Sequence, residues 1–537
     1  MAGFQLNLRS ILWRTRYFPK SEIMSRQEEG LFRYTYRDFI ERVHRFASAL
    51  KDLGIKPGDR VSTFAWNNYR HLELYFAIPC YGAVLHTVNI RLSEDDIAYI
   101  LNHAGSACVC VDPDLVPIIE AVAPKLTTVK SYIVLDDTVP ETSLKPVMAY
   151  EDLIRGGDSS FVFEDLDEQS AAGMCYTSAT TGRPKGVIYT HRGLYLHAMA
   201  LGLVDSMGIC ELDTLLPVVP MFHVNSWGIP FAGIWMGSNL VLPGRRPHAE
   251  DILGLIESEK ATFAAAAVTV GIDMLGVLRQ KPYDISSLRA LMLGGQATPK
   301  AVMKEYLERY GVPIFTAWGA TESAPIATTV HIKRHQQGLT YDEKLDIRIR
   351  QGIPVPGIEI KVVGINKQTV PWDDQEIGEI YVRGPWVAQS YYNDERSKDS
   401  FEDGWWKSGD MATVDEEGVL HLVDRAKDLI KSGGEWISSV NLENELMAHP
   451  YVLEASVVAA PHEKWLERPV AFVVLRSEAP KELRPEDLKK EFATWLGRKF
   501  AKWWVPDDFI FVEEIPRTGA GKFNKRLLRE RVAGGLN

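Results

Sequence analysis

The chain has 537 residues, too many for one compact core at roughly 100–200 residues per domain, so several domains or subdomains are expected. Apolar residues make up 46% and charged residues 24%, an ordinary globular balance, and the net charge of −11 argues against nucleic acid as the main partner. Five cysteines (Cys80, Cys108, Cys110, Cys175 and Cys210) form no C-x-x-C pair, which speaks against a disulfide framework or a zinc site and makes the reducing cytoplasm the expected compartment.

The N-terminus carries no acid before Glu22 and lacks the long apolar centre of a secretory signal, so it reads as a first helix. Residues 1–25 would suit an arm in a homodimer. Along 35–54, Phe39, Val43, Phe46, Ala47 and Leu50 recur at helical spacing, with Gly54 at the expected C-cap. A strand at 59–66, a helix at 95–105 and a strand at 106–114 follow. The rhythm continues through 261–270, 288–295 and 312–322, and such alternation implies parallel sheets covered by helices. No run of about 18 apolar residues occurs, so no membrane span is expected. After residue 350 the texture becomes strand-rich, with a hairpin at Glu417–Gly418. A domain boundary is expected at Asp424–Asp428, followed by a shorter helix–strand unit. No internal repeat or low-complexity stretch is visible.

Residues 176–187, "YTSATTGRPKGV", gather Thr177, Ser178, Thr180, Thr181, Gly182, Lys185 and Gly186. Glycines allow backbone N–H groups close to an oxyanion, hydroxyls add donors and lysine adds a point charge, which suits a polyphosphate. The loop is not a P-loop, because Lys185 is followed by Gly186 where that motif requires Ser or Thr. In "AWGATES" (317–323), Trp318 is suited to stack on a base and Glu322 to hold Mg²⁺. In "WWKSGD" (405–410), Asp410 can accept two ribose hydroxyls. "DRAKDLIKSGGEWIS" (424–438) and "IPRTGAGKFNKR" (515–526) follow in order.

These five motifs in this order resemble the adenylate-forming superfamily across the whole chain. The stretches "HLELYFAIPCYGAVLHTVNIRLS", "VVPMFHVNSWG" and "KDLIKSGGEWISSVNLEN" are most similar to medium- and long-chain fatty acyl-CoA synthetases. The resemblance implies an α/β fold: a large N-terminal domain (1–424) of helix-covered sheets with a β-rich subdomain, and a small mobile α+β C-terminal domain (425–537). It implies two half-reactions, in which a carboxylic acid and ATP give acyl-AMP and pyrophosphate, and CoA then gives acyl-CoA and AMP. It also implies roles by position. Lys522 matches the adenylation lysine and Lys427 the hinge. Asp410 and Arg425 match the ribose pair, Gly295, Gln296 and Ala297 the adenine-edge segment, and Ala317, Trp318, Gly319 and Thr321 the base-packing motif. Thr177 and Glu322 match the Mg²⁺ ligands. His223, Trp227, Val268 and Gly271 match the acyl pocket, and Lys431, Gly433, Gly434 and Trp436 the path of CoA.

Four positions depart from the family pattern. Ala179 replaces the usual glycine, Val268 a common proline, Gln296 a small residue, and Gly271 often bulkier ones. The resemblance implies a medium- or long-chain fatty acid, and the departures, the polar Gln296 among them, leave a short, hydroxylated, thioether or aryl acid as the alternative. Transfer to a carrier protein is disfavoured because the sequence ends at Asn537 without a carrier domain. A scaffold has no need of Lys522, Glu322, Asp410 and Arg425 together.

Overall fold

The computed structural model describes residues 3–177, 183–433, 435–476, 479–480, 483–517 and 523–533. The basic start of the chain forms the helix Leu8–Arg14, capped by the Asn7 side chain and packed through Leu8, Ile11 and Leu12. A hairpin of β1 (Glu22–Arg26) and β2 (Leu31–Thr35) precedes the helix Tyr36–Asp52. All five apolar positions read from the spacing are buried on that helix, and Thr35 and Asp38 close a capping box at its start.

Strands β3 (Arg60–Phe64), β4 (Val84–Thr87), β5 (Ser106–Val111), β6 (Ser131–Val134) and β7 (Val147–Ala149) are parallel. Together with β8 (Ala171–Tyr176) and β9 (Gly186–Thr190) they form one seven-stranded sheet, ordered β7-β6-β5-β3-β4-β8-β9, in which β9 alone runs antiparallel to its neighbour. Strands β10 (Thr214–Pro217), β11 (Asn239–Leu242), β12 (Phe263–Ala267), β13 (Ala290–Gly294) and β14 (Ile314–Phe315) build a second sheet, ordered β14-β13-β12-β10-β11-β1-β2. The two sheets are wound alike: five parallel strands in the order fifth, fourth, third, first, second, then an antiparallel hairpin. The sequence shows no repeat because this symmetry lies in the winding, and because the second sheet takes its hairpin from the start of the chain.

Three smaller sheets follow. The first holds β15 (Ala317–Gly319), β16 (Ile326–Thr329) and β17 (Ile353–Pro354). The second holds β18 (Glu359–Val363), β19 (Gly378–Arg383), β20 (Phe401–Glu402), β21 (Trp405–Val414) and β22 (Leu420–Arg425), with Gly418 at φ +76° in the turn between the last two. The third holds β23 (Ile430–Ser432), β24 (Glu435–Ile437), β25 (Val452–His462), β26 (Leu466–Leu475) and β27 (Asp508–Phe511), with the helices Ser439–Met447, Pro485–Gly497 and Lys525–Ala533. Three apolar clusters have no buried member beyond Leu420, and two others begin at Ile430 or later. Among the described residues no helix is long and apolar enough to cross a membrane.

Candidate active site

The phosphate-loop motif joins two antiparallel strands, since Tyr176 at the end of β8 pairs with Gly186 at the start of β9. The motif therefore does not lead from a strand directly into a helix. Its neck is closed by a reciprocal pair: the Thr177 N–H donates to the Lys185 carbonyl at 2.9 Å, and the Lys185 N–H donates to Thr177 Oγ1 at 3.2 Å. Ser178, Thr180, Thr181 and Gly182 lie outside the described residues, as do Gly434 and Lys522.

Thr177 and Lys185 open into a cleft of about 680 Å³ shared with Glu322, Trp318, Asp410, His223 and Trp227. Glu322 is buried, and its Oε1 accepts the Tyr391 hydroxyl at 2.5 Å. Lys185 Nζ lies 3.8 Å from the centre of the Tyr391 ring. Burial lowers the Lys185 pKa, while the nearby Glu322 charge opposes that shift. The segment before Glu322 is held by the backbone: the Ala320 N–H donates to the Pro325 carbonyl, and a Cβ on Gly319 would sit 1.7 Å from that same oxygen. Only glycine fits there.

A second chamber of about 210 Å³ adjoins the first through Gly295, Ala317, Trp318, Gly319, Asp410, Arg425 and Lys427, and adds Gln296 and Ala297. Asp410 has both oxygens engaged: Trp318 Nε1–H donates to Oδ2 at 2.8 Å, and Arg425 Nε stands 3.3 Å from Oδ1. Trp318 also lies near-parallel to Trp406, with ring centres 6.4 Å apart. The base-stacking and ribose-binding candidates are thus one hydrogen-bonded unit, which no local motif announces across 92 residues.

His223, Val224, Trp227, Met292, Gly294 and Ile326 also line the cleft. Val224, Asn225, Ser226 and Trp227 all have positive φ, between 46° and 56°, and form one buried left-handed turn. Such backbone costs roughly 1–2 kcal/mol per residue, so the packing around it must hold it in place. The edge of the Trp227 ring comes close enough to β13 that a Cβ on Gly294 would lie within 2.7 Å of it.

Val268 and Gly271 do not line this cleft, which corrects the expectation for the acyl pocket. Side chains alternate along β13: Met292 faces the cleft, whereas Leu291 and Leu293 face the opposite side. Val268 packs in the Leu291–Leu293 cluster at the start of the helix Val268–Gln280. Gly271, one turn on, faces Leu293, which a Cβ at that position would meet at 2.7 Å, and its carbonyl accepts the Tyr306 hydroxyl at 2.6 Å. Tyr391, Trp406, Lys407 and Tyr381 line the cleft and were not singled out from the sequence. Trp406 and Lys407 stand inside the "WWKSGD" motif, but Tyr391 has no local signal.

The small domain presents Phe523 and Lys525 to the second chamber. Lys431, Gly433 and Trp436, on the β23–β24 hairpin, line neither chamber. Gly433, at φ +62°, is closely approached by Trp465, whose carbonyl accepts the Gly433 N–H at 2.9 Å. Across the expected boundary, buried Asp424 accepts both the Ser439 N–H (2.8 Å) and the Ser439 hydroxyl (2.5 Å). Lys525 Nζ reaches Ser439 Oγ at 2.5 Å and Glu443 at 2.8 Å.

A family described as "AMP-binding enzyme" matches residues 13–392, and "AMP-binding enzyme C-terminal domain" matches residues 441–522. The chain is 44% identical to a long-chain-fatty-acid–CoA ligase of Thermus thermophilus, covering 99% of this chain and 96% of that one. It is 40% identical to a medium-chain-fatty-acid–CoA ligase of Ectopseudomonas oleovorans (96% and 94% covered) and to a 3-methylmercaptopropionyl-CoA ligase of Ruegeria pomeroyi (96% and 95%). Among solved structures it resembles the anthranilate CoA ligase AuaEII in complex with anthranoyl-AMP, with TM-score 0.88, 27% identity, and 98% and 97% of the two chains covered.

Proposed function

The chain belongs to the AMP-binding enzyme family and is an AMP-forming acid–CoA ligase, and from that premise we propose that its acid is a medium- or long-chain fatty acid activated in the cleft between Thr177 and Trp227. The observation that carries this reading is the single cleft joining the neck of the phosphate loop, Glu322, the Trp318–Asp410–Arg425 unit and an apolar end of Val224, Trp227, Met292 and Ile326. Val224, Trp227, Met292 and Ile326 are apolar side chains, which favours an aliphatic tail.

In the first step a carboxylate oxygen attacks the α-phosphorus, and the bond to the bridging oxygen of the β-phosphate breaks to release pyrophosphate. The nucleophile is already ionised, so no base is required and the work is positioning and charge neutralisation. Lys185 and the loop hold the β- and γ-phosphates, Asp410 and Arg425 the ribose, and Trp318 with Gly295–Ala297 the adenine. Glu322 and Thr177 offer hard oxygen donors that fit Mg²⁺, which takes its remaining ligands from phosphates and water. When bound, Mg²⁺ neutralises phosphate charge. In the second step the CoA sulfur attacks the acyl carbonyl carbon and AMP leaves.

Lys522 would stabilise the first step, and the neighbouring Phe523 and Lys525 at the second chamber support an arrangement ready for adenylation. Rotation of residues 425–537 about Lys427 would then bring Lys431, Gly433, Gly434 and Trp436 to the cleft for CoA. A thioether or other short acid is the second reading, favoured by the equal 40% identity to the 3-methylmercaptopropionyl-CoA ligase. Pyrophosphate and AMP release across acids from acetate to stearate, with hydroxy, thioether and aryl acids added and CoA present or absent, decides between them. A CoA-dependent peak at medium or long chains supports the first reading. A peak at a short or functionalised acid replaces it with the second.

A further inference from the structure

The reading of residues 177–186 as the phosphate loop leaves open what holds that loop in register. Both of its stems lead back to one helix face. Tyr99 and His103 are four residues apart on the helix Glu94–Ala104, and their rings stack with centres 5.2 Å apart. On the incoming stem, His103 Nδ1 is hydrogen-bonded to the Tyr176 hydroxyl at 2.7 Å, and Tyr176 directly precedes Thr177. On the outgoing stem, the Arg183 guanidinium sits 4.6 Å over the Tyr99 ring. Further along that stem the Gly186 carbonyl accepts the Tyr392 N–H at 2.8 Å, and the Tyr392 ring meets His103 edge-on at 5.7 Å. The Tyr176 ring also fills the space beside Gly186, where a Cβ would lie 3.1 Å from Tyr176 Cζ. Arg396, paired with Asp394, donates to the Arg183 carbonyl at 3.0 Å and closes the far side.

We propose that Tyr99 and His103 form a bracket that positions the phosphate loop from behind, with the His103–Tyr176 hydrogen bond as its central contact. His103 is a positioning residue: it acts through Tyr176 on Thr177, and through Tyr392 and Gly186 on Lys185. The proposal rests on the phosphate-loop reading, and the two can fail separately.

The test uses the whole enzyme and measures the two half-reactions apart. His103→Ala is expected to raise KM for ATP and to lower kcat/KM for adenylation by roughly five- to tenfold, the value of one positioned hydrogen bond. Thioester formation from supplied acyl-adenylate should be unchanged. His103→Asn, whose amide can take the place of Nδ1, should recover most of the loss. Tyr176→Phe removes only the hydroxyl oxygen and should reproduce the defect. Combining it with His103→Ala should add little, because both changes break one contact. Equal losses in both half-reactions, or fully additive single effects, would overturn the bracket. Should His103→Ala fail to fold, Tyr176→Phe carries the same test alone. Lys185→Ala separates the premises: if it leaves KM for ATP unchanged, the phosphate-loop reading fails; if it raises KM while Tyr176→Phe does not, only the bracket fails.

Discussion

Gly294→Ala tests whether Trp227 is the wall against which the acyl chain is measured. The added Cβ would lie 2.7 Å from Trp227 Cη2 and 3.3 Å from Cζ2 and Cζ3. Carbon–carbon contact is comfortable only at about 3.5–4.0 Å, so the ring must retreat by about 1 Å. Trp227 lines the cleft, and a retreat into it would shorten the space for the chain. Overpacking of this kind costs about 1–3 kcal/mol of stability, which a melting experiment should register. The functional effect is larger for longer acids. Each methylene that loses burial forfeits about 0.8 kcal/mol, or about fourfold in kcat/KM, so the optimum should move to shorter chains with a fall of about that size per excluded carbon. Trp227→Ala should move it the other way, at a stability cost of about 3–5 kcal/mol. The assay is kcat/KM over straight-chain acids from acetate to stearate. If both variants keep the wild-type chain-length profile while still releasing pyrophosphate, Trp227 does not face the acyl chain and the wall must be sought elsewhere.

Lys522→Ala should lower adenylation by on the order of a hundredfold, the loss of one preorganised charge, yet spare thioester formation from supplied acyl-adenylate; an equal fall in both would refute the two-face arrangement. Gly434→Leu should do the reverse, and unchanged acyl-CoA formation in that variant would exclude the hairpin as the path of CoA. Tyr391→Phe removes the hydroxyl bonded to Glu322 at 2.5 Å and should raise the half-saturating Mg²⁺ concentration by about tenfold, since a hydrogen bond to a charged group contributes about 1.5–3 kcal/mol; an unchanged Mg²⁺ titration would take Glu322 out of metal binding. Asp112 is buried, accepts the Trp66 N–H and the Asn68 amide, and has its pKa pushed up to about 7 by desolvation. From about pH 4 to 7 the folded state therefore keeps a proton that the unfolded state has lost, and stability falls as pH rises through that window. Asp112→Asn should remove this slope, so its melting temperature relative to wild type should increase from about pH 5 to about pH 8; a constant difference would refute the assignment.

What the sequence made legible was local. The helix Tyr36–Asp52 shows its buried face in five residues, and the turn at Gly418 announces its hairpin. The order of motifs named the chemistry because each motif keeps its donors within a few residues. Contacts that depend on which face of a sheet meets the cleft were not legible. Val268 and Met292 are both apolar, yet the alternation along β13 turns Met292 to the cleft and Leu291 and Leu293, against which Val268 packs, to the other side. The Trp318–Asp410 and Tyr391–Glu322 bonds join residues 92 and 69 positions apart, where no periodicity reaches. The likeness of the two large sheets was hidden for a related reason. Winding order constrains burial and direction, which many sequences satisfy, and it does not require matching residues.

The site collects residues from several sheets, and that bears on which groups the proposed rotation would leave in place. Thr177 and Lys185 come from the β8–β9 hairpin of the first large sheet, Gly294 and Gly295 from the end of β13 in the second, and Asp410 from β21 of the antiparallel sheet. In parallel sheets the carboxyl ends of strands form the binding crevice, and these strands share continuous cores, so their groups stay fixed. The residues from Ile430 onward pack into clusters of their own, as the proposed rotation requires. Rotation about Lys427 would leave Asp424 behind while Ser439 departs with its helix, and would break the two Asp424–Ser439 bonds. A hydrogen bond to a charged group contributes about 1.5–3 kcal/mol, and exposing Asp424 to water returns part of that. If the proposed rotation brings the β23–β24 hairpin to CoA, the contacts made there would have to offset the remainder, and on that reading Asp424 would weigh on the balance between the half-reactions.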